Sequence, residues 1–370
     1  MNQSIGLYIH IPFCKSKCPY CDFFSKRGNA EEYKKYARQL TSIIDLWSNK
    51  AKASTISSVY FGGGTPSVLG AGLLCDLLYK IKQCFNVKPN AEITVEVNPD
   101  TGKSLDFEQL SQAGFNRISI GLQSAVKSEL KTLGRLHSSA DAEATVQRAK
   151  NSGISNISLD LMMGIPGQTQ DSLKESIDFC AYCGVEHISS YILKIEDNTY
   201  FGKYREKLVL PCDDETAQLY LFAVDHMSKL RYEQYEISNF AKNGFEGRHN
   251  MNYWKCGEYI GIGPSAHSFF NGKRFYFDRS LESFAENKII PDGSGGDKTE
   301  FIMLALRLSD GLIFEEFEKR FSEKVPERLI KKLNLFAGSG YILIDKEHAR
   351  LTPRGFLVSN SIISELIYGL

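Results

Sequence analysis

The chain has 370 residues, with 44 lysines and arginines against 44 aspartates and glutamates, and 42% of its residues are hydrophobic. That length buries a full core and allows more than one domain. Zero formal net charge excludes a global electrostatic drive onto nucleic acid or an anionic membrane, and no apolar run is long enough to span a bilayer. The N-terminus lacks a basic patch followed by an apolar core and a small-residue cleavage site. The nine cysteines are an odd number and suit a reducing compartment better than a disulfide framework. A cytoplasmic location is the expectation, and peripheral membrane contact stays compatible with it.

Leu7 to Ile11 alternates and is β-prone, so Cys14, Cys18 and Cys21 fall in the loop after a first strand, spaced C-x3-C-x2-C. Three thiolates this close can hold an iron–sulfur cluster with one iron left without a protein ligand, or a zinc ion with His10 or another group as fourth ligand. On ligand chemistry alone the two are comparable.

Glu31 to Trp47 reads as an amphipathic helix, and Ser57 to Phe61 as a strand ending in Gly62-Gly63-Gly64-Thr65-Pro66. Leu73 to Phe85 is helical, Glu92 to Val97 a strand, Ser104 to Ala113 a helix and Arg117 to Gly121 a strand. Ala140 to Ser152 (helix), Asn156 to Leu161 (strand), Ser172 to Cys183 (helix) and His187 to Leu193 (strand) continue the alternation. Strands alternating with helices imply βαβ units and a parallel sheet. Six strands are too few for a closed eight-stranded barrel, so a partial (β/α)6 barrel of TIM-like type over residues 1–196 is the expected α/β fold.

The pattern breaks near Asp197. Residues 197–296 read as a linker (Asn198 to Cys212), a helix (Asp213 to Leu230), an extended stretch (Tyr232 to Phe240) and an aromatic, glycine-rich segment carrying His249-Asn-Met-Asn-Tyr-Trp254. Pro291-Asp-Gly-Ser-Gly-Gly296 reads as a second linker. Residues 297–370 read as three helices, a hairpin over Tyr341 to Leu351 and a last helix, a small α+β, winged-helix-like domain. Its eleven basic and eleven acidic residues argue against DNA or tRNA binding and for a lid or docking module.

Polar or glycine features recur at the ends of consecutive strands: Gly62 to Pro66 after the second, Glu96 in the third, Gln123 after the fourth and Asp160 in the fifth. In parallel α/β barrels, ligands are held at those ends. Cys180-Ala-Tyr-Cys183 is better read as helix packing than as a redox pair.

The run from Tyr8 to Phe23 resembles the radical S-adenosylmethionine superfamily, and within it the coproporphyrinogen dehydrogenase (HemN-like) branch. The resemblance extends through Met303-Leu-Ala-Leu-Arg-Leu308 and Leu351-Thr-Pro-Arg-Gly355. It implies a 4Fe–4S cluster on Cys14, Cys18 and Cys21, with S-adenosylmethionine on the open iron as the source of a 5′-deoxyadenosyl radical, and an external electron donor. Tyr8, Tyr20, Gly63, Gly64, Thr65, Glu96, Gln123, Arg135 and Asp160 fall on cluster or S-adenosylmethionine positions of that family. Gly63 and Gly64 would let the backbone approach the methionyl amino group. Glu96 and Asp160 would take ribose hydroxyls or that amino group, Gln123 ribose or adenine, and Arg135 the methionyl carboxylate. The plain readings of the same residues are a tight turn, surface ion pairs, a strand-end cap and a solvated helix-end charge.

Two functions compete within the branch. The dehydrogenase members oxidatively decarboxylate coproporphyrinogen III to protoporphyrinogen IX in porphyrin biosynthesis. The chaperone members bind haem and deliver it to acceptors such as respiratory enzymes. The dehydrogenase carries a further cysteine two positions after the third, where this chain has Phe23, and an N-terminal extension, where only thirteen residues precede Cys14. Both departures favour the haem chaperone, for which a cluster-dependent homodimer is compatible. His249 is a candidate haem ligand, with Tyr253 and Trp254 packing on the porphyrin, and His267 is a weaker second. The plain alternative has His249 organising a loop while the aromatics fill an interdomain core.

Overall fold

The structure is a computed structural model that describes residues 4–369. Strands β1 (Ser4–Ile11), β2 (Thr55–Gly63), β3 (Asn86–Val97), β4 (Arg117–Gln123), β5 (Asn156–Met163) and β6 (His187–Ile192) lie side by side in chain order, every neighbouring pair parallel. Helices Ala30–Lys50, Gly70–Cys84, Phe107–Ala113, Ser139–Asn151 and Gln170–Tyr182 fill the crossovers. Three of them begin on capping boxes, Asn29 with Glu32, Ser138 with Asp141 and Thr169 with Ser172, which satisfy otherwise orphaned N–H groups of the first turn.

The alternation along each strand explains why the sheet encloses a site. Leu7, Ile9, Val59, Phe61, Val95, Ile118, Ile120, Leu159 and Ile188 are fully buried in the core. The residues between them are polar or glycine: Tyr8 and His10, Tyr60 and Gly62, Thr94 and Glu96, Arg117 and Ser119, Ser158 and Asp160, His187 and Ser189. A parallel sheet packed on both faces reads as continuous apolar runs, so this alternation marks an inner face lining a hollow. Tyr60 on β2 and Ser189 and Tyr191 on β6 line one cavity, which requires the sheet to curl round it.

Residues 197–296 extend this sheet at both edges. β7 (Glu233–Gln234) and β8 (Asn239–Ala241) add antiparallel beyond β6, while β9 (Tyr259–Ile262) pairs parallel with β1. β10 (His267–Phe270), β11 (Lys273–Phe277) and β12 (Ile289–Ser294) complete a twelve-stranded sheet. The sequence-based reading of Pro291 to Gly296 as a linker is corrected here. Pro291 pairs opposite Phe275 in the terminal strand β12, an edge position where a missing N–H is tolerated. Asn198 to Cys212 likewise holds a short helix, Tyr200–Lys203, capped by the Thr199 side chain.

Helix Arg248–Trp254 joins the barrel to the rest. The Glu92 carboxylate on β3 accepts from the backbone N–H groups of Arg248 (3.0 Å) and His249 (2.9 Å), while the Tyr235 hydroxyl accepts from Gly247 N–H at 3.1 Å. Beyond it the C-terminal unit forms helices Lys298–Ala305, Phe314–Phe321, Glu327–Gly338, Pro353–Leu357 and Ser359–Ile367. Its small sheet comprises β13 (Leu312–Ile313), β14 (Ile342–Ile344) and β15 (His348–Leu351). The expected winged-helix-like order is present, docked through Ile237 N–H to the Arg307 carbonyl and through Arg307 over the Trp254 ring. Among the described residues no helix is long and apolar enough to cross a membrane.

Glu92 is buried, binds two backbone donors and supplies negative charge next to buried Arg117. Replacing it by alanine should cost about 3 kcal/mol in urea unfolding, with Glu92→Gln recovering part of the loss because its carbonyl still accepts. A cost under about 1 kcal/mol would contradict this role.

Candidate metal centre and cofactor cavity

The cysteine loop leaves β1 at Ile11 and is closed at its base by a short bridge: Lys26 N–H donates to the Pro12 carbonyl at 2.9 Å and Cys14 N–H to the Lys26 carbonyl at 3.0 Å. His10 fastens it from below. Its Nε2 lies 3.0 Å from the Phe24 carbonyl, which can only accept, so Nε2 carries the proton and Nδ1 accepts from the Tyr8 hydroxyl at 3.1 Å. Burial drives the His10 pKa down to about 4, in keeping with this neutral tautomer. His10 is thus committed to the loop and not free as a fourth metal ligand. Cys14, Cys18 and Cys21 are free, partly exposed thiols on the wall of a cavity of about 580 Å³.

The glycine turn is stitched to this loop. Gly64 N–H donates to the Ile11 carbonyl at 2.8 Å and Thr65 N–H to the Phe13 carbonyl at 2.7 Å. A Cβ on Gly64 would lie 2.6 Å from the Phe13 carbonyl oxygen, and one on Gly63, which has φ +113°, would lie 2.5 Å from the His10 ring. The reason for the glycines is therefore close approach to the chain's own cysteine loop, in addition to the open wall they leave in the cavity. Thr65 is buried, with its hydroxyl 3.5 Å from Cys14 Sγ.

Glu96, Gln123, Arg135, Asp160 and Tyr20 all reach the same cavity. Glu96 accepts from the Tyr60 hydroxyl at 2.8 Å and Gly63 N–H at 3.2 Å, and burial lifts its pKa to about 7. Burial also raises Asp160, which accepts from the Ser119 hydroxyl at 2.9 Å. Gln123 sits at φ 70°, beside a register shift in β4, so the strand breaks where its side chain turns to the cavity. Arg135 donates to Asn98 Oδ1 at 2.6 Å, to the Gly121 carbonyl at 2.9 Å and towards Cys18 Sγ at 3.5 Å. Tyr20 packs near Phe201 at the rim.

Three expected residues lie away from the cavity wall. Tyr8 is half-buried, its ring stacked on Tyr60 at 6.1 Å and its hydroxyl 3.1 Å from His10 Nδ1. His249 is buried, with Nδ1 2.8 Å from the Ser58 hydroxyl, Nε2 2.6 Å from the Tyr253 hydroxyl and its ring stacked on Tyr60 at 5.2 Å. Both ring nitrogens are engaged within the fold, and burial lowers its pKa to about 3. His249 therefore organises the joint between helix and barrel, and its neighbour Asn250 faces the cavity instead. His267 lies on β10, stacked on Tyr276, away from the cavity. Sequence reasoning missed Asn98, Arg117, Ser119, Tyr191 and Asn250, all on the cavity wall. A period of two counted back from Gln123 would have found Arg117 and Ser119.

Comparison with known proteins follows the same outline. Residues 8–180 match the Radical SAM superfamily and residues 299–358 the HemN C-terminal domain. A protein named "Heme chaperone HemW" from Mycobacterium tuberculosis (strain CDC 1551 / Oshkosh) is 32% identical over 381 residues, covering 99% of this chain and 95% of that one. Its namesake from Escherichia coli (strain K12) is 33% identical, covering 97% of each chain. The chain belongs to the radical S-adenosylmethionine superfamily, in its HemN-like branch. The structure of Escherichia coli coproporphyrinogen III oxidase (HemN) superposes with TM-score 0.85 at 19% identity, covering 100% of this chain and 91% of that one, which establishes the shared fold.

For a radical S-adenosylmethionine protein the family implies a 4Fe–4S cluster and S-adenosylmethionine, and the residues fit them. The three free thiols share one wall with two hydrogen-bond donors pointed at sulfur, and the carboxylates of Glu96 and Asp160 stand on the same cavity. Among the described residues no group of three His, Cys, Asp or Glu side chains is drawn together as for a single metal ion.

Two outcomes follow. Gly64→Ala should destabilise the protein by roughly 1–3 kcal/mol through overpacking and lower the iron and sulfide bound per chain after anaerobic reconstitution; unchanged iron would refute the stitch. The second concerns pH. His249 is held neutral in the fold while the unfolded chain takes up a proton near pH 6.5. Its contribution is complete above that pH and is lost as pH falls towards about 3. Wild-type protein should therefore lose on the order of 3 kcal/mol more stability between pH 6.5 and pH 4 than His249→Gln, measured by urea unfolding at each pH.

Proposed function

We propose that the chain is a haem chaperone that binds haem and passes it to acceptor proteins such as respiratory haem enzymes, while carrying a 4Fe–4S cluster and S-adenosylmethionine. The observation that carries this reading is the full-length likeness to the proteins named heme chaperone HemW, at 32% and 33% identity with nearly all of both chains covered. Phe23 supports it, standing 69% exposed on the cavity rim where the dehydrogenase pattern expects a further cysteine.

Cys14, Cys18 and Cys21 would hold the cluster, and Glu96, Gln123 and Asp160, on the same cavity, would receive S-adenosylmethionine. The bound pair supplies reductive cleavage of a C–S bond to a 5′-deoxyadenosyl radical. Burial lifts the Glu96 pKa to about 7, and a cationic amino group beside it favours the ionised form, so a cationic ligand binds more firmly as pH rises through that value. Tyr60 and Gly63 hold the Glu96 carboxylate in place meanwhile. Haem meets the apolar rim of the cavity, where Phe23, Tyr191 and Ile192 are exposed by 69%, 43% and 41%. Exposed aromatic and aliphatic groups gathered beside a cavity are surface kept for a partner or ligand. The cluster, when bound, would take its electron from an external donor.

Oxygen-independent coproporphyrinogen III oxidation is the second reading, favoured by whole-chain superposition on HemN. One anaerobically reconstituted sample separates them. The chaperone reading expects a saturable Soret shift on haem titration and no protoporphyrinogen from coproporphyrinogen, S-adenosylmethionine and reductant. Turnover without haem retention overturns it.

A further inference from the structure

Asn98 follows Glu96-Val97 at the end of β3 and stands just before Pro99. Asparagine at the start of a helix normally accepts hydrogen bonds from the first turn. Here its side chain makes no such bond to the helix Pro99–Gly102 and is turned into the cluster wall. Its two polar atoms face different partners: Oδ1 lies 2.6 Å from Arg135 Nη2, and Nδ2 lies 2.9 Å from Thr65 Oγ1.

The chemistry of the partners sets every proton in this chain of contacts. A guanidinium only donates, so the amide oxygen must face Arg135 and the amide nitrogen must donate to the Thr65 oxygen. With that oxygen accepting from Asn98, the Thr65 hydroxyl proton is left for Cys14 Sγ, 3.5 Å away. The other arm of Arg135, Nη1, lies 3.5 Å from Cys18 Sγ. One amide thus orients a donor onto each of two cysteine sulfurs. Gly121 makes the room, because a Cβ there would lie 3.0 Å from Asn98 Oδ1 and 3.3 Å from Arg135 Nη2.

We infer that Asn98 is a positioning residue that aims the Thr65 hydroxyl at Cys14 and the Arg135 guanidinium at Cys18, and thereby raises the reduction potential of the cluster these thiolates carry. Hydrogen bonds to cluster sulfurs stabilise the more negative, reduced state. The inference rests on the proposed cluster, and its test separates the two: iron and sulfide content reports on the cluster, the potential on Asn98.

The experiment is a redox titration of the reconstituted full-length protein, followed by electron paramagnetic resonance in the absence of S-adenosylmethionine. Thr65→Val removes the hydroxyl at nearly constant shape and should lower the reduced-to-oxidised ratio at fixed potential about tenfold, a shift of about 59 mV for one electron. Asn98→Leu should lower it in the same direction. Because Asn98 acts partly through Thr65, its effect should shrink in the Thr65→Val background, a non-additivity that a role in folding alone does not produce. Thr65→Ser keeps the hydroxyl and should hold the wild-type ratio. A full complement of iron with an unmoved potential in Asn98→Leu overturns the inference, as does an undiminished Asn98→Leu effect in the double variant. Should Thr65→Val fail to assemble iron, Asn98→Leu compared with Thr65→Ser decides alone. Wild-type protein that assembles no cluster overturns the parent reading instead.

Discussion

Two backbone hydrogen bonds hold the site together: Gly64 N–H to the Ile11 carbonyl and Thr65 N–H to the Phe13 carbonyl. They join the turn after β2 to the start of the cysteine loop, and each needs the chain to come closer than a side chain permits. The three thiols, the Thr65 hydroxyl and the glycine wall are all placed by that contact. A loop of this kind has little core of its own, so its geometry is borrowed from the strand ends beneath it.

The second constraint is the polar inner face of the barrel. Burying Glu92, Arg117 and His187 in the sheet and His249 in the helix beside it, with Glu96 and Asp160 half-buried, is costly unless each finds a partner. Most do: Glu92 caps a helix, Asp160 is held by Ser119, His187 lies 2.8 Å from both the Ser158 and Tyr235 hydroxyls, and His249 bridges Ser58 and Tyr253. Burial raises the pKa values of the two carboxylates that line the cavity, and the nearby Arg117 charge offsets that only in part. Perturbed groups gathered in one cleft are what a binding site looks like before its ligand arrives.

The segment from His249 to Trp254 shows how a recognisable motif can do structural work. Its histidine is locked between two hydroxyls, its asparagine reaches the cavity and its tryptophan meets Arg307 of the C-terminal unit. One short helix therefore touches the cofactor wall at one end and the C-terminal unit at the other.

Much of this was legible in the amino-acid sequence. The βαβ rhythm, the C-x3-C-x2-C spacing, the glycine turn and the polar strand ends are local patterns, and local patterns survive without knowledge of the fold. The Pro291 to Gly296 segment misled because proline and glycine signal a turn, whereas an edge strand can accept both when its partner is already in place. The purposes of individual side chains needed the tertiary structure. That His10 serves the cysteine loop, that His249 is enclosed and that Asn98 bridges Arg135 to Thr65 depend on contacts across 14, 191, 37 and 33 residues of chain. A hydrogen bond is decided by which atoms meet, and for residues so far apart in the chain only the folded sheet brings them together.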